Sequence, residues 1–210
     1  MKYNLGTLGV YLVTDRKLSK KPIGEAAKDA IVGGVKIIQY REKELSYEEK
    51  LKQAKKLRRL TKSFGVIYII NDDVKLAKEV DADGVHLGQD DMTYEEAREI
   101  LGEDKIIGVT AHNSREAILA EGKKADYIAL SPIFQTDTKK DAGKPAGIKL
   151  IEEVRAKVKT PLVAIGGINE NNILQVARAG IKTIAMISAI ITKDDVAGEI
   201  RKYNELILKN

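Results

Sequence analysis

Three groups of residues could do chemistry. Gly166-Gly167-Ile168-Asn169 and Ser188-Ala189 each stand where an apolar run gives way to a polar stretch. Adjacent glycines let backbone N–H groups approach an anion closely, and a helix start adds unpaired donors and a favourable dipole, so both turns suit a phosphate. A plain turn with Asn169 or Ser188 as helix cap would use the same residues. Asp72 and Asp91 follow two other apolar runs, and Arg41, Lys43 and Lys139 follow further ones. Mg²⁺ takes one or two carboxylates, keeps waters and completes its shell with phosphate oxygens, while cationic side chains neutralise the remaining charge. Without a phosphate, a surface ion-pair network would explain these charges as well. Asp73 and Asp90 read as helix caps. The third group is His86 and His112. His86 sits inside an apolar run, where a hydrogen-bonded core histidine and a catalytic one are both open readings, and His112 would orient a loop or contact substrate without transferring a proton.

Composition narrows the chemistry further. With no cysteine there is no disulfide, thiolate metal site or cysteine nucleophile, and two histidines leave general bases scarce. Of 210 residues, 36 are basic and 31 acidic, and the excess of +5 is small beside that total. Two Phe and no Trp offer little for stacking bases, and Lys52, Lys55, Lys56, Arg58 and Arg59 follow a helical register, so a solvated helix face is expected rather than a nucleic-acid site. No run of 18 apolar residues suggests a membrane span, and Met1-Lys2-Tyr3-Asn4 lacks the pattern of an export signal, so the expected setting is soluble and cytoplasmic.

The elements that must position these residues are eight short apolar runs: 9–13, 35–39, 66–70, 84–87, 106–109, 127–130, 162–165 and 183–187. Amphipathic stretches separate them, including 47–63, 169–179 and 195–208, and this alternation marks strand and helix units around a parallel sheet. Gly34-Val35 and Gly180-Ile181 both place a glycine between a helix and the next strand, where a left-handed cap is needed. Eight units in this length average about 26 residues each, which fits an α/β eightfold (β/α)8 TIM barrel, expected as a single catalytic domain over residues 1–210. An open doubly wound sheet would need a GxGxxG turn after the first strand, and none is present. In a barrel the polar residues just after each run gather at one rim, and the turns after strands seven and eight are where barrels commonly bind phosphate.

The motifs in order identify a family. Tyr11-Leu12-Val13-Thr14-Asp15, Gln39-Tyr40-Arg41-Glu42-Lys43, Asn71-Asp72-Asp73, His86-Leu87-Gly88-Gln89-Asp90-Asp91, Gly108-Val109-Thr110-Ala111-His112, the stretch from Ser131 to Lys139, Ala164-Ile165-Gly166-Gly167-Ile168 and Ile187-Ser188-Ala189-Ile190 together resemble thiamine phosphate synthase along essentially the whole chain. The resemblance implies an Mg²⁺-dependent transferase that joins a hydroxymethylpyrimidine diphosphate to a thiazole phosphate and releases diphosphate. It assigns the pyrimidine diphosphate to Gln39, Arg41, Lys43 and Asn71, the metal to Asp72 and Asp91, and the diphosphate to Lys139. It assigns the thiazole phosphate to Thr136, Thr138, Gly167 and the Ile187-Ser188 backbone. Two positions depart from the family: Thr110 stands where Ser is usual, keeping the hydroxyl against the pyrimidine or diphosphate, and Gln135 stands where Pro is frequent. A thiazole tautomerase of the same family and a non-catalytic thiazole phosphate sensor are the alternatives. Partners are expected to be small molecules, with homo-oligomerisation left open.

Overall fold

Where each strand begins is decided by how the preceding helix ends. In this computed structural model, which describes residues 4–136, 138 and 143–209, the amides of Val35, Val66, Ala82, Ala125 and Ile181 each donate to the carbonyl five residues earlier. The residue before each has positive φ: Gly34, Gly65, Asp81, Lys124 and Gly180. This closure captures an orphan helix carbonyl and turns the chain toward the sheet. The expected second and third strands therefore start later than their apolar runs, because Val35 and Val66 have spent their amides on helix ends.

The strands are β1 (Gly9–Val13), β2 (Ile37–Tyr40), β3 (Ile67–Asn71), β4 (Gly84–Leu87), β5 (Ile106–Ala111), β6 (Tyr127–Leu130), β7 (Leu162–Ile165) and β8 (Thr183–Met186). The helices are α1 (Ile23–Val32), α2 (Tyr47–Ser63), α3 (Val74–Glu79), α4 (Tyr94–Leu101), α5 (Ser114–Gly122), α6 (Gly147–Arg155), α7 (Ile173–Arg178), α8 (Ser188–Ile191) and α9 (Val196–Leu208). All neighbouring strands pair in parallel, and β8 returns to β1 through Gly9 opposite Thr183, closing the barrel. The (β/α)8 expectation holds, with β5 running two residues further than expected because Thr110 and Ala111 pair with Ala129 and Leu130.

Two apolar layers follow from strand alternation. One set of strand side chains, including Val10, Leu12, Ile38 and Ile70, packs against the helices. The other, including Tyr11, Ile37, Ile69 and Tyr127, fills the barrel interior. Helix starts are set locally: Ser46 with Glu49 and Thr93 with Glu96 form capping boxes at α2 and α4, and Asp73 caps α3 as expected. Asp90 does not cap, since Thr93 holds that role. The charged face of α2 is exposed at Lys52, Lys55, Lys56 and Arg59, but Arg58 turns inward to Asp83 at 2.9 Å.

Candidate active site

At the carboxyl ends of the strands lies a cavity of about 350 Å³, the size of a small-molecule site. Twelve of the thirteen expected site residues line it, and Lys139 lies outside the described residues. Its walls are of two chemical kinds.

The wall built from β2, β3 and the β4 loop carries charge. Gln39 ends inside β2, and Arg41 follows it with its amide on Thr14 Oγ1 at 3.0 Å and its guanidinium on Asp15 Oδ2 at 2.8 Å. Asp15 also accepts from the amides of Lys17 and Leu18, so it is a fixed anchor that aims Arg41 along the rim. Lys43 Nζ is 3.1 Å from Asp72 Oδ2. Asn71 is the last residue of β3, and Asp72 after it takes φ of +61°, a left-handed conformation that aspartate tolerates better than most residues. Its amide donates to the His86 carbonyl at 2.9 Å, which ties it to β4. Across that junction Asp91 Oδ2 accepts from the Gly88 amide at 2.7 Å. Burial pushes the Asp91 carboxyl above its ordinary range, and a hydrogen bond shared with Asp72 pushes it further.

Two carboxyl groups that close, with one lysine between them and solvent, form a donor pair for a cation. Among the described residues no set of three or more His, Cys, Asp and Glu forms a fuller cage. A cation here must draw most of its shell from water or a bound anion, and that donor set fits Mg²⁺ rather than a caged calcium or structural zinc.

The opposite wall offers donors without side-chain charge. Gly166 and Gly167 have φ of +104° and +63°, and a Cβ at Gly167 would lie 2.2 Å from the Gln135 carbonyl oxygen. Glycine is therefore required by both backbone angle and space. The turn is laced to the loop after β6 by Phe134 N–H to Gly166 O and Ile133 N–H to Ile165 O, both 3.0 Å. That lacing brings Thr136 and Thr138 to the same cavity wall. Asn169 and Asn172 both donate to the Gly167 carbonyl, which holds the turn open and delays α7 to Ile173 instead of the expected 169. No described group accepts from the Gly167 or Ser188 amides. Ser188 does not cap its helix, whose preceding residue is Ile187.

Four further residues matter whose roles the sequence did not disclose. Asp15 orients Arg41, although its place straight after β1 was a signal. Glu116 accepts from both the amide and Nδ1 of His112, at 2.8 and 2.9 Å, and so fixes a histidine that lines the cavity. Tyr11 and Tyr127, apolar-looking in the strand pattern, carry hydroxyls 2.9 Å apart beneath the cavity. Burial raises both phenols, so each keeps its proton through the neutral range. His86 is the core histidine of the two readings, with Nδ1 on Tyr127 and Nε2 on Thr110, each at 2.9 Å.

A protein-family model described as thiamine monophosphate synthase matches residues 10–190. A thiamine-phosphate synthase of Methanosarcina barkeri is 45% identical over 203 residues, covering 97% of this chain and 92% of the relative. One from Methanosarcina mazei is 48% identical over 203 residues, covering 97% and 84%. The solved thiamine phosphate pyrophosphorylase of Pyrococcus furiosus is 36% identical, with a TM-score of 0.91 over 99% of this chain and 98% of that one.

Proposed function

The chain belongs to the thiamine monophosphate synthase family, and on that premise we propose how its two cavity walls divide the work. The activity is thiamine phosphate synthesis, a transferase reaction. The bond between the pyrimidine methylene carbon and the diphosphate oxygen breaks, and a bond from the thiazole nitrogen to that carbon forms. Both electron pairs are accounted for without a general base, in keeping with a chain that has no cysteine and two histidines.

On the charged wall, Arg41 and Lys43 neutralise the departing diphosphate, and Asn71 and Gln39 hold the rest of the pyrimidine diphosphate; Lys139, which the family resemblance also gives to the diphosphate, lies outside the described residues. Asp15 keeps the Arg41 guanidinium from relaxing into solvent, so the stabilising charge is in place before the leaving group develops its own. Asp72 and Asp91 would hold Mg²⁺, which when bound would supply further charge neutralisation for the diphosphate. Thr110 places its hydroxyl against the pyrimidine diphosphate. On the opposite wall the amides of Gly167 and Ser188, beside Ile187, Thr136 and Thr138, hold the thiazole phosphate. Cleavage precedes attack: the electron-rich pyrimidine carries the cation until the tethered thiazole nitrogen meets it. Small molecules are the partners and the cytoplasm is the setting. Among the described residues no helix is long and apolar enough to cross a membrane.

The observation that carries this reading is the meeting, in one cavity, of a carboxylate pair with cations on one side and uncharged amide donors on the other. The test is diphosphate release from both substrates, with and without a chelator. Release that needs both substrates and stops with chelator is expected. Thiazole phosphate binding without any release would replace the enzyme by a sensor, and chelator-insensitive activity would remove the metal.

A further inference from the structure

The cavity floor carries polar side chains that leaving-group chemistry does not use. Gln39 Nε2 donates to the Tyr11 hydroxyl at 2.8 Å, and that hydroxyl lies 2.9 Å from the hydroxyl of Tyr127. The Tyr127 hydroxyl is 2.9 Å from His86 Nδ1, and His86 Nε2 is 2.9 Å from Thr110 Oγ1. Five side chains from five strands thus form one unbroken row across the barrel; all but Tyr127 line the cavity, and Gln39 and Thr110 end the row. The rings are held in place by packing: His86 stacks on Tyr127 at 14°, and Tyr11 meets Tyr127 edge-on at 74°. Gly108 makes the room, because a Cβ there would lie 2.0 Å from Tyr127 Cζ.

A buried donor without an acceptor is costly, so the protons in this row can be counted. Tyr11 is 1% exposed, and its oxygen already accepts from Gln39. Its own proton therefore goes to the Tyr127 oxygen. The Tyr127 proton then goes to His86 Nδ1. A histidine that accepts at Nδ1 carries its proton on Nε2, and that proton goes to the Thr110 oxygen. The Thr110 proton is left for the cavity. The opposite sense requires the Gln39 amide reversed, because with Gln39 donating it would give Tyr11 two donors and leave the Tyr11 proton without an acceptor. With Nε2 committed to Tyr11, Gln39 has Oε1 left for the cavity.

We propose that Tyr11, Tyr127 and His86 are positioning residues whose hydrogen bonds run in one direction, so that the floor presents an acceptor at Gln39 Oε1 and a donor at the Thr110 hydroxyl. Such a floor selects a ligand with an amino N–H at one end and a lone pair at the other. The inference deepens the placement of the pyrimidine diphosphate on Gln39 and Thr110 and rests on it. An aminopyrimidine meets the Gln39 carbonyl with its amino N–H. Its 4-oxo analogue would set one lone pair against another there. An acceptor on the amino group also leaves the amino nitrogen richer in electrons, which supports the ring as diphosphate departs.

Nitrogen NMR of the substrate-free enzyme labelled at histidine reads the tautomer directly, and His86 is expected as Nε2–H. Tyr127→Phe and His86→Leu cut the row, and each is expected to lower the preference in kcat/KM for the aminopyrimidine diphosphate over its 4-oxo analogue by about tenfold. His86→Gln, which accepts through Oε1 and donates through Nε2, is expected to keep the preference. KM for the thiazole phosphate should stay unchanged in all three, whereas general loosening of the barrel would move it as well. An Nδ1–H tautomer in the wild type, or an unchanged preference in both cut variants, overturns the proposal. A wild type that releases no diphosphate from either pyrimidine defeats the functional reading, and the tautomer, measured without substrate, still decides the direction of the row.

Discussion

At the amino end of the barrel, Asp83 and Asp126 each hold one oxygen between a strand amide and an arginine; at the carboxyl end, Asp72 and Asp91 have no such pair of donors among the described residues. Asp83 Oδ2 accepts from the Tyr68 amide of β3 and from Arg58 of α2, at 2.8 and 2.9 Å. Asp126 Oδ2 repeats the arrangement two units on, accepting from the Ile107 amide of β5 and from Arg98 of α4, both at 2.8 Å. Each fastens a helix, a strand and the start of the next strand with one carboxylate. Asp72 and Asp91 have one amide and one lysine between them and otherwise face each other. The same side chain thus serves architecture where a strand amide and an arginine share one of its oxygens, and is available to a cation where a single amide or lysine reaches it.

The contrast breaks if the two ends respond alike to mutation. Asp72→Asn and Asp91→Asn should each lower kcat/KM about a thousandfold in the diphosphate-release assay, as expected for loss of charge stabilisation at a leaving group. Thermal midpoints should hold or rise. Asn is the better probe at position 72, where alanine would add the strain of a positive φ. Asp83→Ala and Asp126→Ala should do the reverse, costing about 3 kcal/mol in chemical denaturation with kcat unchanged, because each removes the closest carboxylate from a largely buried arginine and leaves a strand amide without its acceptor. Turnover lost without stability at Asp83, or stability lost without turnover at Asp91, would erase the distinction.

Between these extremes stands Gly167→Ala, on the uncharged wall. It should raise KM for the thiazole phosphate about tenfold and cost about 1–2 kcal/mol, since the new Cβ meets the Gln135 carbonyl at a φ that disfavours it. Equal KM changes for both substrates would show that the two walls are not separate sites. The smallest effects are in pH, and they have opposite signs. The Asp91 carboxyl is raised by burial and by Asp72, so the folded state holds its proton more tightly than the unfolded chain does. The ionised form therefore opposes folding above that raised value, and acid relieves it. Glu121, at the amino end, is held below its ordinary range by the amides of Lys159 and Thr160. Its contribution is present above the unfolded value and is lost as pH falls through the lowered one. Asp91→Asn should thus gain most in thermal midpoint at neutral pH and converge on wild type as pH falls below the ordinary aspartate range, while Glu121→Gln should lose most at neutral pH and converge only as pH falls below the lowered Glu121 value. Parallel curves would sink the assignment.

The architecture was readable because barrel strands are short apolar runs and the polar rim follows directly after them; Asp72, Asp91 and the two glycines of the β7 turn all declared themselves by that position. Strand edges were misplaced where a hydrogen bond from helix to turn claimed an amide, as at Val35 and Val66, because an apolar residue gives no sign of where its N–H goes. The start of α7 lies later than expected because the side-chain oxygens of Asn169 and Asn172 accept from the amides of Asn171 and Asn169 inside the turn, while their Nδ2 groups donate to the Gly167 carbonyl. The Tyr11, Tyr127 and His86 row was invisible for another reason. A tyrosine in an interior strand position looks like any core aromatic until the partner of its hydroxyl is known. The Asp83 and Asp126 fastenings did leave a trace, Ala82-Asp83 before β4 and Ala125-Asp126 before β6, but the arginines that complete them lie on helices whose charged faces look solvated.

Because the Tyr127 ring already fills the space over Gly108, these two positions cannot drift independently. A lineage that acquires a side chain at 108 must first have shrunk 127, so the order of the two changes is fixed. The intermediate, a small residue at both places, would carry an open void inside the barrel. The shape of the floor is thus protected by epistasis between neighbouring strands as well as by selection on the substrate itself.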